Sequence, residues 1–350
     1  MKTYLIISAL TLVGSCATTK YTTKIQNLKD NIHLVDSASV IKYANTITPK
    51  ELKEHILIIA SDSFKGRKTG ESGQKLTSDY LKSYYQSEHI KSPLGNNTYY
   101  QIIPESFLPK DIKASENVLA YIQGSEKPDE VVIISAHYDH LGITKEGEIN
   151  NGADDNGSGT SAVMEIAEAF KLAKNDGFSP KRSILFLHVT AEEIGKYGSE
   201  YYTLYPVFTL KNTIADLNID MIGRVDNCHT DNRNYIYLIG SNKLSNELHY
   251  ISEKVNDTYF NINLDYKYNT EEDSNHYFYR SDHYNFAKHE VPIIFYFNGE
   301  HEDYHQPTDT VDKIDFNLLA KRSQLIFATA WQLANQENRI TIDFDNQEIF

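Results

Sequence analysis

Cysteine is nearly absent from this 350-residue chain, which has only Cys16 and Cys228. A disulfide framework is therefore excluded, and so is a thiolate-rich structural zinc site. Positive charge is also in deficit: 34 Lys and Arg face 48 Asp and Glu, a net charge of −14. That balance argues against nucleic acid or an anionic membrane face as the main partner, because both reward basic surfaces. No apolar run is long enough to span a bilayer permanently. There is no internal repeat and no Gly-x-Ser-x-Gly nucleophile elbow, so nothing points to covalent serine chemistry. Stability must come from packing, with metals as a second source.

The N-terminus reads Met1-Lys2, an apolar run from Tyr4 to Val13, then Gly14-Ser15-Cys16. A basic start, a short apolar core and small residues before a cut site describe a secretory signal over residues 1–15. Val13-Gly14-Ser15-Cys16 resembles the bacterial lipobox, whose Cys is acylated and becomes the new N-terminus. The expectation is an exported lipoprotein held in the membrane through lipid on Cys16. The absence of Asp just after Cys16 favours the outer membrane, with the body facing the periplasm or the surface. Cys228 is then left without a partner. Residues 16–45 are rich in Thr, Lys, Asn and Ser and read as a tether with little order, followed by a catalytic body over 46–350.

Thr48-Pro49-Lys50-Glu51 is a capping box with Pro at the first helical position, and Leu52, Ile56, Ile59 and Ala60 follow at helical spacing. A second helix is marked by Leu76, Tyr80, Leu81 and Tyr84. From about residue 117 short, β-branched apolar runs take over: 118–122, 131–135, 184–189, 214–219, 235–239 and 292–297. Runs apolar throughout are strands buried on both faces. Between them lie helical patterns, clearest over 158–174 and 317–333. The reading is a single α/β domain with a central, mostly parallel, mixed twisted sheet and helices on both faces.

In open α/β sheets, ligands bind beyond the carboxyl ends of the strands. Those ends deliver Ala136-His137-Tyr138-Asp139-His140, then Thr190-Ala191-Glu192-Glu193, then Asp220, and a last loop with Tyr304-His305-Gln306-Pro307-Thr308-Asp309-Thr310. Gly152-Ala153-Asp154-Asp155-Asn156-Gly157-Ser158-Gly159 enters a helix. A lone His-x-Asp, or a Glu-Glu pair, is usually a surface feature, but their joint occurrence at strand ends points to metal. Imidazole and carboxylate without thiolate suit hydrolytic zinc. One ion needs three groups and five converge, so two zinc ions sharing a carboxylate are expected, with Glu192 left over as a base.

The ordered set His137-Tyr138-Asp139, Asp154 through Gly159, Glu192-Glu193, Asn218 through Gly223 and Tyr304-His305 through Thr310 resembles the bacterial leucyl aminopeptidase and glutamate carboxypeptidase II family of zinc exopeptidases. The resemblance covers about residues 45 to 335 and includes Phe64-Lys65-Gly66-Arg67-Lys68-Thr69-Gly70. It implies that His137 and Asp220 bind one zinc, that Glu193 and His305 bind the other, and that Asp155 bridges them. Asp155 is preferred to Asp154 because the family's bridging residue lies four positions before the second Gly of this motif, here Gly159. It further implies that Asp139 orients His137, that Glu192 shuttles the proton of a hydroxide bridging the zinc ions, and that Tyr304 helps hold the oxyanion. The implied activity is release of the N-terminal residue from a peptide with a free amino terminus. Glutaminyl cyclase, a carboxypeptidase of the same fold and a non-catalytic binding lipoprotein are the competing readings. Substrate side chain and oligomeric state are not read from the sequence. Residues 261–283 either rim the pocket or form a solvated loop, and Ser281-Asp282-His283 is given a supporting role.

Overall fold

The short apolar runs pair into one eight-stranded sheet in the computed structural model, which describes residues 22–343. Its strands are β1 (Tyr100–Ile103), β2 (Ser115–Ile122), β3 (Lys127–His137), β6 (Arg182–Val189), β7 (Thr213–Ile219), β8 (Tyr235–Ile239), β9 (Asn263–Asp265) and β10 (Ile293–Phe297). A separate two-stranded ribbon joins β4 (Gly142–Ile143) to β5 (Ile149–Asn150). The order is β1-β2-β6-β3-β7-β10-β8-β9. The four central strands, β6, β3, β7 and β10, run parallel, while β2 and β8 run antiparallel against them. The expected mostly parallel, mixed sheet is what forms.

Alternation along these strands divides the core. Val132, Ile134, Ile184, Phe186, Ile236, Leu238, Ile294 and Tyr296 join one buried cluster. Their neighbours Val131, Ile133, Leu185, Leu187, Tyr235, Tyr237, Ile293 and Phe295 join the other. Successive side chains point to opposite faces, so helices must cover both. The first face is covered by α2 (Ser37–Ala44), α3 (Pro49–Ile59), α5 (Gly159–Asn175), α7 (Asn246–Tyr259) and α9 (Phe316–Asn335). The second is covered by α6 (Tyr197–Leu204) and α8 (His283–Ala287). Phe170 of α5 stacks on Trp331 of α9 with ring centroids 5.8 Å apart. Each such side chain removed from water contributes about 1.5–3 kcal/mol. The N-cap half of the capping box forms: the Thr48 hydroxyl accepts from the Glu51 N–H at the start of α3 and donates to the Glu51 carboxylate. Helix α4 (Ser72–Ser87) follows a left-handed turn at Lys65-Gly66-Arg67.

The tether expectation requires correction over 22–45. Residues 22–31 form α1, and α2 follows directly. Val40, Tyr43 and Ala44 lie at i, i+3 and i+4 and are buried, and the Tyr43 ring stacks on Trp331 at 5.9 Å. The Val35 N–H donates to the Gln332 side chain of α9 at 2.9 Å. One narrow apolar stripe suffices to dock a two-turn helix, although the polar average of the segment hides it. The proposed signal, Cys16 and residues 17–21 lie outside the described residues. Among the described residues no helix is long and apolar enough to cross a membrane.

Candidate metal centre

Strands β6, β3, β7 and β10 are neighbours, so the loops leaving their carboxyl ends meet above the sheet. His137 is the last residue of β3. Glu192 and Glu193 follow β6 after Ala191, Asp220 follows β7 immediately, and His305 lies in the loop after β10. Asp155 comes from a wide helical turn, Ala153–Ser158, whose Asp155–Asn156 peptide is cis and which runs into α5. Ala191, Met221 and His305 all adopt left-handed backbone, with φ of 58°, 57° and 58°. Non-glycine residues take this conformation at a cost and need neighbours to impose it. At Met221 the N–H is held by the Asn156 side chain at 3.2 Å, and at Ala191 the carbonyl accepts from the Tyr197 N–H at 3.0 Å.

The donors form two groups that share one carboxylate. In the first, His137 Nε2 lies 3.3 Å from Asp155 Oδ1 and 3.3 Å from Asp220 Oδ1. In the second, His305 Nε2 lies 3.2 Å from Asp155 Oδ2 and 3.2 Å from Glu193 Oε2. Ligands held at about 2.0–2.1 Å around a tetrahedral zinc are separated by roughly 3.3 Å, which is the spacing seen here. Asp155 Oδ2 is buried and accepts no hydrogen bond, as expected of an oxygen shaped for a cation. The residues fit two zinc ions. All five ligand positions read from the sequence are thus brought together. Asp154 is turned away, its carboxylate accepting from the Gly223 N–H at 2.7 Å and pairing with His301 at 3.2 Å.

Crowded carboxylates dominate the electrostatics. Burial disfavours a charged His137 ring, but Asp220 and Asp155 outweigh it and hold its pKa well above the ordinary range. For His305 burial is likewise overcome by Asp155 and Glu193, which raise it to about 10. These rings take up positive charge that a cation would otherwise supply, so protons and metal compete for the same sites. Glu192 is pushed well above the ordinary carboxylate range by burial, reinforced by Asp282, Glu193 and Asp220 and opposed by His137.

Asp139 departs from its expected contact. His137 Nδ1 lies 3.1 Å from the main-chain oxygen of Asp139 and 3.9 Å from its carboxylate, so the carbonyl is the nearer acceptor. The carboxylate instead accepts from the Thr69 hydroxyl at 2.7 Å and from the Glu192 N–H at 3.2 Å. Asp139 therefore positions the strand end carrying Glu192 as well as its own loop. The Ser281 hydroxyl donates to Asp220 at 2.7 Å, which gives the Ser281-Asp282-His283 segment its supporting role.

Three further residues were not assigned roles from sequence. Arg67 is 1% exposed and donates to the carbonyls of Tyr138, Ile59, Asn151 and Gly152 at 2.6–2.9 Å. Burial lowers its pKa to about 10, so it stays cationic beneath the carboxylates. The Asp309 carboxylate accepts from the N–H groups of Asp154 and Asp155 at 3.0–3.1 Å, fixing the turn that presents Asp155. His140 Nδ1 lies 2.7 Å from Glu193 Oε1, and His140, Asp155 and Glu193 bring donor atoms within 4.8 Å of one another. The signal for His140 was present as a second imidazole three positions after His137 in the same strand-end loop.

A small cavity of about 30 Å³ opens over the donors. Glu192, Tyr304 and Arg280 line it together with Met221, Phe295 and Phe297. The Tyr304 ring stacks on His305 at 3.8 Å, and burial raises its phenol pKa, so the hydroxyl keeps its proton. Arg280 is paired with Glu300 at 2.9 Å. Of segment 261–283, Tyr277, Arg280 and Ser281 reach the cavity, whereas Glu271 and Glu272 are exposed and do not.

Comparisons with known proteins find relatives in sequence and in fold. The chain is 26% identical over 239 residues to aminopeptidase YwaD of Bacillus subtilis, a match covering 65% of this chain and 46% of that one. It thus spans less than half the length of that curated relative. Its fold matches the LapA aminopeptidase of Legionella pneumophila with a TM-score of 0.67 at 20% identity, covering 88% of this chain and 78% of that one. It also matches a zinc aminopeptidase from Bacillus subtilis with a TM-score of 0.65 at 14% identity, covering 83% and 96% of the two chains. Residues 117–330, the stretch from β2 to α9 that carries every candidate ligand, match peptidase family M28, and the chain belongs to that family.

Proposed function

We propose that this protein is a zinc-dependent aminopeptidase. The observation that carries the reading is the cavity over the paired donor groups, where Glu192 and Glu300 stand beside the ligand carboxylates and Arg280 is already neutralised by Glu300. Such a cavity favours a protonated amino terminus. A terminal carboxylate, as in a carboxypeptidase substrate, would have to displace Glu300 from Arg280. His137 and Asp220 would hold one zinc, Glu193 and His305 the other, with Asp155 shared. When bound, the ions would polarise the scissile carbonyl and bring the pKa of a water toward neutrality. Glu192, which lines the cavity beside the donors, takes the proton of the attacking water and returns it to the leaving amine. Tyr304 donates its phenolic proton to the oxygen on which negative charge develops. Met221, Tyr277, Phe295 and Phe297 offer an apolar wall to the departing residue's side chain.

The test is hydrolysis of a panel of aminoacyl p-nitroanilides and matched N-acetyl peptides by wild type and Glu192→Gln, with zinc content measured on both. Loss of the general base should lower kcat by about 10²–10⁴-fold at unchanged zinc content. Hydrolysis of blocked peptides from the carboxyl end, or cyclisation of N-terminal glutamine, would replace this reading. Export and lipid anchoring belong to the same proposal, on the strength of Val13-Gly14-Ser15-Cys16. Labelled palmitate should enter the wild type in cells and not Cys16→Ala.

A further inference from the structure

The second donor group has one imidazole more than the five-ligand set requires. His140 lies just beyond β3 and is 1% exposed. Its N–H donates to the Arg67 carbonyl at 3.2 Å, which fixes its main chain. Its ring is wedged against Gly152, where an added Cβ would come within 2.5 Å of His140 Cδ2. In this position Nδ1 faces two carboxylates. It lies 2.7 Å from Glu193 Oε1 and 3.7 Å from Asp155 Oδ2. His305 Nε2 approaches the same two carboxylates from the other side, and the two imidazoles are 6.1 Å apart between ring centroids. The separations around His140 bracket the roughly 3.3 Å edge of a tetrahedral zinc site. The orphaned oxygen, Asp155 Oδ2, belongs to this half of the centre, while Oδ1 faces His137.

We propose that His140 is itself a zinc ligand through Nδ1, so that the second group holds its ion with His140, Glu193, His305 and Asp155. The inference rests on the two-zinc reading above and adds an asymmetry to it. Four protein donors make a closed site of the kind that retains metal, whereas the first group, with His137, Asp155 and Asp220, leaves a position open for chemistry. The second site fills first and empties last.

The decisive probe is ¹¹³Cd NMR of the full-length protein labelled with ¹⁵N-histidine, stripped of metal and titrated with ¹¹³Cd²⁺. The first equivalent should give one cadmium resonance with one-bond coupling to His140 Nδ1 and His305 Nε2. The second should give a resonance coupled to His137 Nε2 alone. His140→Ala assigns the coupling, and release of the first ion to a chelator should then accelerate by more than the roughly 10–100-fold that loss of an outer hydrogen bond brings. His140→Gln keeps a hydrogen bond to Glu193 within reach and should not restore retention. A proton retained on His140 Nδ1 without cadmium coupling would make it a hydrogen-bond donor and overturn the proposal. First-equivalent loading beside His137 would overturn it as well. Failure of the whole two-metal reading looks different, because then no cadmium binds near any of the three histidines and peptide hydrolysis is insensitive to chelators.

Discussion

Acid should weaken this fold through His188, a buried imidazole outside the set of metal donors. His188 sits in β6 between β2 and β3, opposite Val118 and Ala136, and is fully buried. Its Nε2 meets the Tyr85 hydroxyl at 2.6 Å, and burial lowers its pKa from 6.5 to about 3. The ring is therefore neutral in the native state across the working range, whereas in the unfolded chain it takes a proton near its ordinary value. Above that value the group costs nothing. As pH falls from about 6.5 towards about 3, the unfolded state gains a proton the native state refuses, and stability is lost at about 1.4 kcal/mol per unit. At pH 5 the loss relative to pH 7 is about 2 kcal/mol. That figure depends on the unfolded value and hardly on how far the native one is depressed. Against a total of about 5–15 kcal/mol it is large. Urea unfolding of zinc-saturated wild type and His188→Gln at pH 7 and pH 5 gives the comparison, since metal loading and all other titrations cancel in the difference. The variant should be somewhat less stable at pH 7 and should lose about 2 kcal/mol less on acidification. Parallel losses, within about half a kcal/mol, would refute the reasoning.

Arg67→Lys should lower stability by about 2–4 kcal/mol, because an ammonium cannot satisfy four carbonyls spread around a planar fork; the urea midpoint measures it. Asp309→Ala leaves the N–H groups of Asp154 and Asp155 buried without acceptors, for about 2–4 kcal/mol, and should also weaken zinc retention in a chelator competition. Asp309→Asn should recover part of both. Zinc removal should lower Tm, since a free zinc concentration of 1,000 times Kd stabilises by about 4 kcal/mol at 25 °C, and added zinc should restore it in a thermal scan.

The sequence carried the sheet and the ligand positions because each rests on a local signal. Val131–Ile134 and Ile184–Leu187 are apolar without interruption, and the chemistry follows each run within a few residues. Edge elements were harder to see. β1 and β9 are short, and β1 carries Ile102 exposed to solvent, so neither shows the pattern of a doubly buried strand. Helix α2 was missed because a stripe of three residues was averaged into a polar segment, and α1 because no residue of it is buried. Contacts across the fold were not legible at all. The capture of the Glu192 N–H by Asp139, the grip of Asp309 on Asp154 and Asp155, and the convergence of His140 on Glu193 each join residues distant in sequence, and only closure of the sheet decides them.

The metal donors come from the ends of β3, β6, β7 and β10 and from the turn before α5, a span running from His137 to His305. During synthesis the earliest ligand exists long before the last one has been made, and the central parallel strands can pair only after the helices between them have folded back. A chain stopped short of β10 lacks His305 and also Asp309, whose carboxylate holds the turn that presents Asp155. Native-strength metal retention is consequently a property of a chain folded through His305, and an ion bound that tightly reports that β10 and the loop beyond it have closed onto the sheet.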